Sequence, residues 1–254
     1  MSDSERIVYL ILGAPGSGRR EVVADLIEGG LDETDSAAVF LSAREEASAL
    51  GDAAMAIWEW TEDLTMVGDW PKGADVGFFV ADGRIDPVDQ VEAFKSWAAS
   101  HGASVVRVIC VAHCALLHEH EELMAWYDAC IHFSDIVLLN RRDGVPNKWV
   151  SDYQTRFAKR FLPCLVEMVR KGRIKNPALV LDQQARRMSH WFDEDDSDGW
   201  RAFVAEAEDV IIEDEAEGEE DLDETEPVDE YLERNLGGGR RKRIPDIREF
   251  LPAS

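Results

Sequence analysis

A glycine-rich turn between an apolar run and a helical pattern constrains the fold of this chain most strongly. Ile7–Leu12 is continuously apolar, and the turn Gly13–Gly18 that follows contains three glycines. In Arg20–Glu28 the apolar residues then recur at helical spacing. A buried strand that passes through glycines directly into a helix is typical of a parallel α/β sheet.

Alternating strand and helix patterns continue along the chain to about residue 181. Further strands are predicted at Ala38–Leu41, Val76–Ala81, Ser104–Ala112, Ile136–Leu139 and Ala178–Leu181. Helices are predicted at Ala53–Leu64, Val88–His101, His118–Asp128, Lys148–Lys171 and, as a short packed segment, His190–Asp193. The sequence therefore predicts an α/β fold with a mostly parallel sheet and helices on both faces. In such folds, ligands bind beyond the carboxyl ends of the strands.

The glycine turn also has the spacing of a phosphate-binding loop, G-x-x-x-x-G before a helix. Glycines let successive amides point at a phosphate, and the helix N-terminus adds positive potential. Arginines stand where such loops carry a lysine and a magnesium-binding hydroxyl. Arginine binds phosphate but not a metal ion, so bound magnesium is not expected. The predicted phosphate site consists of Gly13, Pro15, Gly16, Ser17, Gly18, Arg19 and Arg20, and the alternative is a glycine-rich turn without a ligand.

Three further segments lie in an order that points to one family. Val80–Pro87 begins at the end of the predicted strand Val76–Ala81 and ends in Asp-Pro. Asn140 and Asp143 follow another predicted strand in the pattern Asn-Arg-x-Asp, and Asn176–Ala178 comes later. Together with the glycine turn, these segments resemble the CobW-type branch of the SIMIBI P-loop GTPases, related to HypB and UreG. The resemblance covers roughly residues 7–181 and rests on the order and spacing of motifs that are each weak alone.

The resemblance implies a guanine-nucleotide site for GTP or GDP. Asn140 and Asp143 correspond to the guanine-specificity motif of the family. Gly83 matches the glycine of its third motif, and Asp82 lies beside it. The glutamate of that motif is replaced by Val80.

Several departures argue against catalysis. The phosphate loop lacks its lysine and its hydroxyl, and the third motif lacks its glutamate. The family's Cys-x-Cys-Cys metal motif is absent, since no cysteine precedes Cys110. An acidic and then a basic segment stands in place of the family's C-terminal domain. We therefore predict a degenerate member of the family.

Three functions remain open at this stage. The first is a CobW-like nucleotide-binding protein with weak or no hydrolysis, acting as a metallochaperone-like protein or a regulatory switch. The second is a pseudo-GTPase that serves as an interaction scaffold through its charged tail. The third is an active NTPase or phosphotransferase in which Arg19 and Arg20 clamp phosphates.

A group of cysteines and histidines requires separate consideration. Thiolates and imidazoles at short spacing bind zinc or softer metals. However, cysteine is often buried without any ligand role, and strand alternation places Cys110 and His113 on different faces. We predict no metal site; the alternative is one formed by Cys110, His113, Cys114 and His118, with His120 nearby.

The charge of the chain limits its partners. Its 52 acidic and 27 basic residues give a net charge of −25, which argues against nucleic-acid and membrane-surface partners. Asp193–Glu230 alone holds 20 acids and one base. We predict a P-loop NTPase-like domain over residues 1–192 and an acidic segment over 193–236. From about residue 213 that segment is expected to be disordered, because it has little apolar surface to bury.

The last predicted segment, residues 237–254, begins with glycines, continues with four consecutive bases and ends in apolar residues. It is either a docking peptide for a protein partner or a basic cluster that folds back on the acidic run. The four cysteines of the whole chain do not suggest a disulfide scaffold, and its acidic start does not suggest a signal peptide. A cytoplasmic location is therefore expected.

Overall fold

An eight-stranded sheet forms the centre of the computed structural model, which describes residues 6–45, 53–193 and 229–251. Its strands are β1 (Arg6–Leu12), β2 (Ala37–Ser42), β3 (Ala54–Trp60), β4 (Met66–Val67), β5 (Val76–Val80), β6 (Ala103–His113), β7 (Ile136–Asn140) and β8 (Leu165–Met168). Their spatial order is β4-β3-β2-β5-β1-β6-β7-β8. Every neighbouring pair is parallel except β3 with β4. The first strand therefore lies near the middle, between β5 and β6.

Helices cover both faces of this sheet. They are α1 (Arg19–Gly30), α2 (Pro87–Ser100), α3 (Cys114–Glu119), α4 (Met124–His132), α5 (Asn147–Lys159) and α6 (Pro177–Leu181). Alternate residues of β1 belong to two separate apolar clusters, Leu10 facing α2, α4 and α5, and Ile11 facing α1 and α6. This two-sided burial explains why the strands read as continuous apolar runs, and it confirms the predicted fold class. Within the described ranges, no helix is long and apolar enough to cross a membrane.

Most of the predicted central elements are confirmed. The strands predicted at Ile7–Leu12, Ala38–Leu41, Val76–Ala81, Ser104–Ala112 and Ile136–Leu139 are β1, β2, β5, β6 and β7. The predicted helix Val88–His101 is α2, which begins with Pro87 at its first turn and the Asp86 side chain as its cap.

The helix predicted at Ala53–Leu64 is wrong. Its residues form β3, which pairs in parallel with β2 so that Ile57 lies opposite Leu41. Trp58 is fully buried and its neighbour Ile57 is exposed. This alternation has the period of a strand, and aromatic and β-branched residues favour strands.

The long helix predicted at Lys148–Lys171 is also wrong. The helix ends at Lys159, and β8 begins six positions further on at Leu165. Pro163 explains the break, because proline has no amide hydrogen to donate to a helix. Phe161 has a positive φ of 52°, so the backbone has already left the helical conformation.

Three other predictions need correction. Ala178–Leu181 is not a strand but most of α6, which starts at Pro177 and is capped by the Asn176 side chain. The helix predicted over His118–Asp128 is divided into α3, a turn of 3₁₀ helix and α4. His190–Asp193 forms a turn rather than a helix, although Phe192 within it is buried in the core.

The C-terminal segment 229–251 packs against the domain. Tyr231 and Ile247 are almost completely buried, and both belong to the core cluster on the α2 and α4 side. The ring of Tyr231 lies 4.7 Å from the ring of His132, at the end of α4. This segment therefore contributes to the hydrophobic core. The predicted disordered stretch from about residue 213 lies outside the described residues as far as residue 228.

The bases of this segment pair partly with carboxylates of the domain and partly with carboxylates of the segment itself. The Arg240 guanidinium donates to Asp89 Oδ1 at 2.5 Å and to Glu92 Oε2 at 2.6 Å, both on α2. Lys242 Nζ lies 2.7 Å from the Glu230 carboxylate, at the end of the acidic run. The basic cluster thus contacts both α2 and Glu230, which lies at the start of the segment itself.

Candidate functional site

The glycine turn lies at the carboxyl end of β1, in the middle of the sheet, and leads directly into α1. Gly18 is the cap residue of α1, and among the described residues no side chain caps this helix. The first amides of a helix have no partner within the helix and carry a partial positive charge. The turn therefore presents uncapped amides of the kind that bind anions.

Glycine is required at particular positions of this turn. Gly13, Gly16 and Gly18 all have positive φ, at 139°, 74° and 91°. A Cβ built on Gly83 would lie 2.4 Å from the Gly13 carbonyl oxygen, so the third-motif glycine permits close contact between the two loops. The Ser17 hydroxyl is buried without a hydrogen-bond partner among the described residues.

Two residues at the end of β7 hold the outer side of the turn. Asn140 Nδ2 donates to the Ser17 carbonyl at 2.8 Å, and Arg141 Nε donates to the Gly16 carbonyl at 2.9 Å. Arg141 also pairs with Glu21 on α1 at 2.7 Å. These two bonds hold the carbonyls of Gly16 and Ser17, while the Ser17 amide donates to the Ala14 carbonyl within the turn at 3.2 Å. The structure thus brings the predicted guanine motif and the predicted phosphate loop together.

Asp143 lies in the turn after β7, on the same edge of the sheet. Its side chain is exposed. No described residue forms a hydrogen bond or an ion pair with its carboxylate. A solvent-facing carboxylate next to Asn140 is available to accept hydrogen bonds from a base.

Arg19 does not lie free over the turn. It is buried, and its guanidinium donates to the Ala81 carbonyl at the end of β5 and to the Glu45 carboxylate after β2. Arg20 is half-buried at the second position of α1. For Arg19 and Arg20 to clamp a phosphate together, Arg19 would have to break its ion pair with Glu45 and bind the phosphate instead.

The third-motif segment has a buried acid of its own. Asp82 is fully buried; its Oδ1 accepts from the Arg84 amide at 3.1 Å, and its Oδ2 lies 3.4 Å from Arg44 Nη1. Val80, at the position of the family's glutamate, is fully buried in β5. Burial raises the pKa of Asp86, whose side chain caps α2.

These residues do not fit a magnesium ion. Magnesium is held by oxygen ligands in near-octahedral geometry. Arg20 has no oxygen to offer at the hydroxyl position, Val80 is apolar, and Asp82 is engaged by Arg84 and Arg44. In the described part of the chain, no group of three or more His, Cys, Asp or Glu side chains is placed to hold a metal ion.

The cysteine and histidine group is dispersed by the fold. Cys110 and Cys114 are fully buried, and burial raises the pKa of the Cys114 thiol to about 12. His118 is exposed and its ring lies against Trp149 at 5.5 Å. Among the described residues these side chains are not brought together as a group that could hold a metal ion.

His113 instead belongs to the phosphate-loop region. Its Nδ1 accepts from the Leu116 amide at 3.1 Å, which caps α3. A Cβ built on Gly16 would be 3.9 Å from the imidazole, so the ring lies beside the turn. Burial lowers the pKa of His113, and the positive charge of Arg141 lowers it further. The ring is therefore a neutral neighbour of the loop.

Sequence reasoning missed Arg44, Glu45 and His113 as neighbours of the site. Arg44 and Glu45 follow β2 and His113 ends β6, so all three lie at the carboxyl edge. Ligands bind at that edge of a parallel sheet, so the position of these residues at the ends of predicted strands could have indicated them from the sequence. A cavity of about 420 Å³ beside this edge is lined by Arg44, Arg84, Asp86 and residues of the C-terminal segment, including Ile247.

A central parallel strand, a glycine turn with positive φ angles and a following helix define a P-loop NTPase-like domain. No protein-family model matches the chain, and no curated protein matches it. Among solved structures, the chain is similar to the zinc-bound YjiA GTPase from E. coli, with 16% identity over 68% of this chain and a TM-score of 0.42.

Two other structures give similar values. A zinc-bound triple mutant of the YjiA GTPase shares 17% identity over 68% of this chain, with a TM-score of 0.44. A LAO/AO transport system kinase shares 14% identity over 79% of this chain, with a TM-score of 0.39. The matches span 62% of each YjiA chain and 59% of the kinase chain.

Proposed function

We propose that this chain is a CobW-like protein that binds a guanine nucleotide at the Gly13–Gly18 turn and hydrolyses it slowly or not at all. The observation that carries the proposal is the double attachment of Asn140 and Arg141 to the carbonyls of Ser17 and Gly16. This attachment fixes the turn before α1, whose first amides no side chain caps among the described residues. It also fixes the loop that carries the base-binding candidate, Asp143.

The proposed chemistry follows from the groups present. The amides of the turn and of the first helical residues bind the phosphates, since a helix N-terminus favours anions. The Asp143 carboxylate accepts hydrogen bonds from the two adjacent donors of guanine, N1 and the exocyclic amine. Adenine presents no such pair of donors on that edge, so guanine is preferred.

Slow or absent hydrolysis follows from the charges. Phosphoryl transfer needs positive charge that acts on the transferred group in the transition state, which a lysine and a magnesium ion supply in P-loop enzymes. Arg19 is already paired with Glu45, and the magnesium ligands are missing. Charge that stabilises substrate and transition state equally does not accelerate the reaction. A regulatory switch or a metallochaperone-like role therefore fits better than an active NTPase.

The charged tail is relevant to the alternative function, in which the chain is an interaction scaffold that binds a partner through this tail. A protein partner of the charged tail would compete with the contacts of Arg240 on Asp89 and Glu92. Those contacts lie on α2, which begins at Pro87 and is capped by Asp86 of the third motif. Partner binding by the tail would therefore disturb the edge of the proposed nucleotide site. The scaffold role is thus compatible with nucleotide binding rather than a replacement for it.

The proposal is tested by titrating the full chain calorimetrically with GDP, GTP, ADP and ATP. We expect guanine nucleotides to bind at least about tenfold more tightly than adenine nucleotides, a difference of about 1.4 kcal/mol. Phosphate release from GTP should stay well below about 1 per second, the lower end of ordinary enzyme turnover. Equal affinity for both bases, or fast magnesium-dependent turnover, would contradict the proposal.

A further inference from the structure

The order of the strands determines in which orientation a nucleotide would lie across this site. Asp143 follows β7 and the glycine turn follows β1, whereas β5 and then β2 lie on the other side of β1. A ligand with its base at Asp143 and its first phosphates on the turn must therefore point the end of its phosphate chain toward the carboxyl ends of β5 and β2.

That end of the site is occupied by ion pairs within the chain. Arg19 bridges the Ala81 carbonyl and Glu45, and the side chains of Arg19 and Glu45 are only 3% and 12% exposed. Beside them, the fully buried Asp82 is paired with Arg44. The positive charge of Arg19 is thus already neutralised before any ligand binds.

A third phosphate would be costly at this position. To contact Arg19 it would have to displace Glu45, which would leave a largely buried carboxylate without its partner. It would also bring further negative charge toward Asp82 and Glu45, and like charges in a poorly solvated site repel strongly. The residues present do not fit a divalent cation that could offset this repulsion.

We infer that this site takes a nucleoside diphosphate without a divalent metal ion, and that the Arg19–Glu45 pair excludes the third phosphate. The inference rests on the proposed guanine-nucleotide site and adds the length of the phosphate chain to it. Glu45 is a specificity residue in this account: its carboxylate holds Arg19 against Ala81 and closes the site beyond the second phosphate.

The test compares GDP with a non-hydrolysable GTP analogue on the full chain, by calorimetry, in EDTA and again in excess magnesium chloride. We expect GDP to bind at least about tenfold more tightly than the triphosphate in both buffers. Magnesium binds the phosphates of a free triphosphate, but it should not make the triphosphate bind as tightly as GDP, because the chain offers the ion no ligands.

Three variants test whether the Arg19–Glu45 ion pair, rather than negative charge in general, sets the preference for GDP over the triphosphate. Glu45→Gln keeps the shape of the side chain but frees Arg19, so the preference for GDP should narrow by about threefold or more. Glu45→Asp retains the charge and should retain the preference. Glu33→Gln, an exposed acid between α1 and β2, removes the same charge away from the site and should leave the ratio unchanged.

The outcomes are distinguishable. If the unaltered chain binds the triphosphate as tightly as GDP or more tightly, in EDTA or in magnesium, the inference is wrong. The proposed guanine-nucleotide site would not be affected by that result. A preference for GDP that survives Glu45→Gln unchanged overturns the role of the Arg19–Glu45 pair. Failure of every guanine nucleotide to bind overturns both this inference and the proposed function.

Discussion

Asn140 and Ser17 are 123 positions apart in the chain, yet the Asn140 amide donates to the Ser17 carbonyl at 2.8 Å. This bond joins the end of β7 to the turn after β1, across the intervening strand β6. It is also buried, so no water competes for the carbonyl. The bond therefore fixes the glycine turn in the conformation on which the proposed phosphate site depends.

The same contact makes Gly18 sensitive to substitution. A Cβ at Gly18 would lie 2.4 Å from Asn140 Nδ2, and φ is 91° there. We expect Gly18→Ala to lower the free energy of unfolding by about 2–4 kcal/mol, from backbone strain plus the clash. GDP affinity should fall as well, measured by calorimetry beside urea unfolding.

Gly73→Ala is the matched control. Gly73 also has a positive φ, 82°, but nothing lies within 4 Å of a Cβ built there. Strain alone should then cost about 1–2 kcal/mol and leave GDP affinity unchanged. If both variants lose stability equally and both bind GDP normally, the close contact with Asn140 is unimportant.

The packing of the C-terminal segment predicts a loss of stability on truncating one side chain. Ile247 is 1% exposed and belongs to the core cluster on the α2 side. Ile247→Ala should cost about 2–4 kcal/mol in urea unfolding, the usual range for a buried isoleucine. Leu236→Ala changes a fully exposed side chain of the same segment and should cost less than about 0.5 kcal/mol. Equal effects would show that the segment does not pack as described.

The start of the same segment predicts a dependence on pH. Burial alone would raise the pKa of Asp229, but hydrogen bonds from His132, Ser189 and the Tyr231 amide lower it to about 2. A carboxyl with a lowered pKa stabilises the fold above its ordinary pKa near 3.8, and this stabilisation is lost as the pH falls toward 2.

Asp229→Asn should therefore destabilise the protein near pH 6, by about 1–3 kcal/mol, because it removes a charged hydrogen-bond acceptor. The difference from the unaltered chain should shrink steadily below about pH 4. Guanidinium unfolding across pH 2 to 7 measures both. A difference that stays constant down to pH 2 would show that this carboxylate is not specially stabilised.

A change of base preference tests Asp143. Asp143→Asn replaces an acceptor by an amide that can also donate, so GDP affinity should fall by about tenfold or more. Xanthosine diphosphate, which has a carbonyl in place of the exocyclic amine of guanine, should gain affinity, while ADP should not. Asp69→Asn, an exposed acid after β4, serves as the control. A loss of affinity shared by all nucleotides would point to misfolding instead.

The central fold could be predicted from the sequence because its strands are buried on both faces. Continuous apolar runs such as Ile136–Leu139 have few other interpretations. The spacing of apolar residues gave wrong secondary-structure predictions toward the edges of the sheet, where the strands are only partly buried. β3 is exposed on one face, and β8 is half-buried along its length. There a short apolar segment matches a helix as well as a strand.

The site was predictable to the extent that it lies in contiguous motifs. The glycine turn and Asn140 have recognisable spacing, whereas Glu45 gains its role only from the meeting of β2 and β5 at one edge. Likewise, the packing of Tyr231 and Ile247 depends on a surface formed by α2 and α4. Such contacts between distant segments leave no local pattern in the sequence.

The most direct test of the account locates the ligand on the protein itself. Amide resonances of the ¹⁵N-labelled full chain are followed by NMR during titration with GDP in EDTA. We expect the shifts to concentrate in residues 13–20 and 140–144, at the turn held by Asn140 and Arg141. Saturating GDP that leaves these amides unperturbed, or shifts only residues elsewhere, would contradict a nucleotide site at the glycine turn.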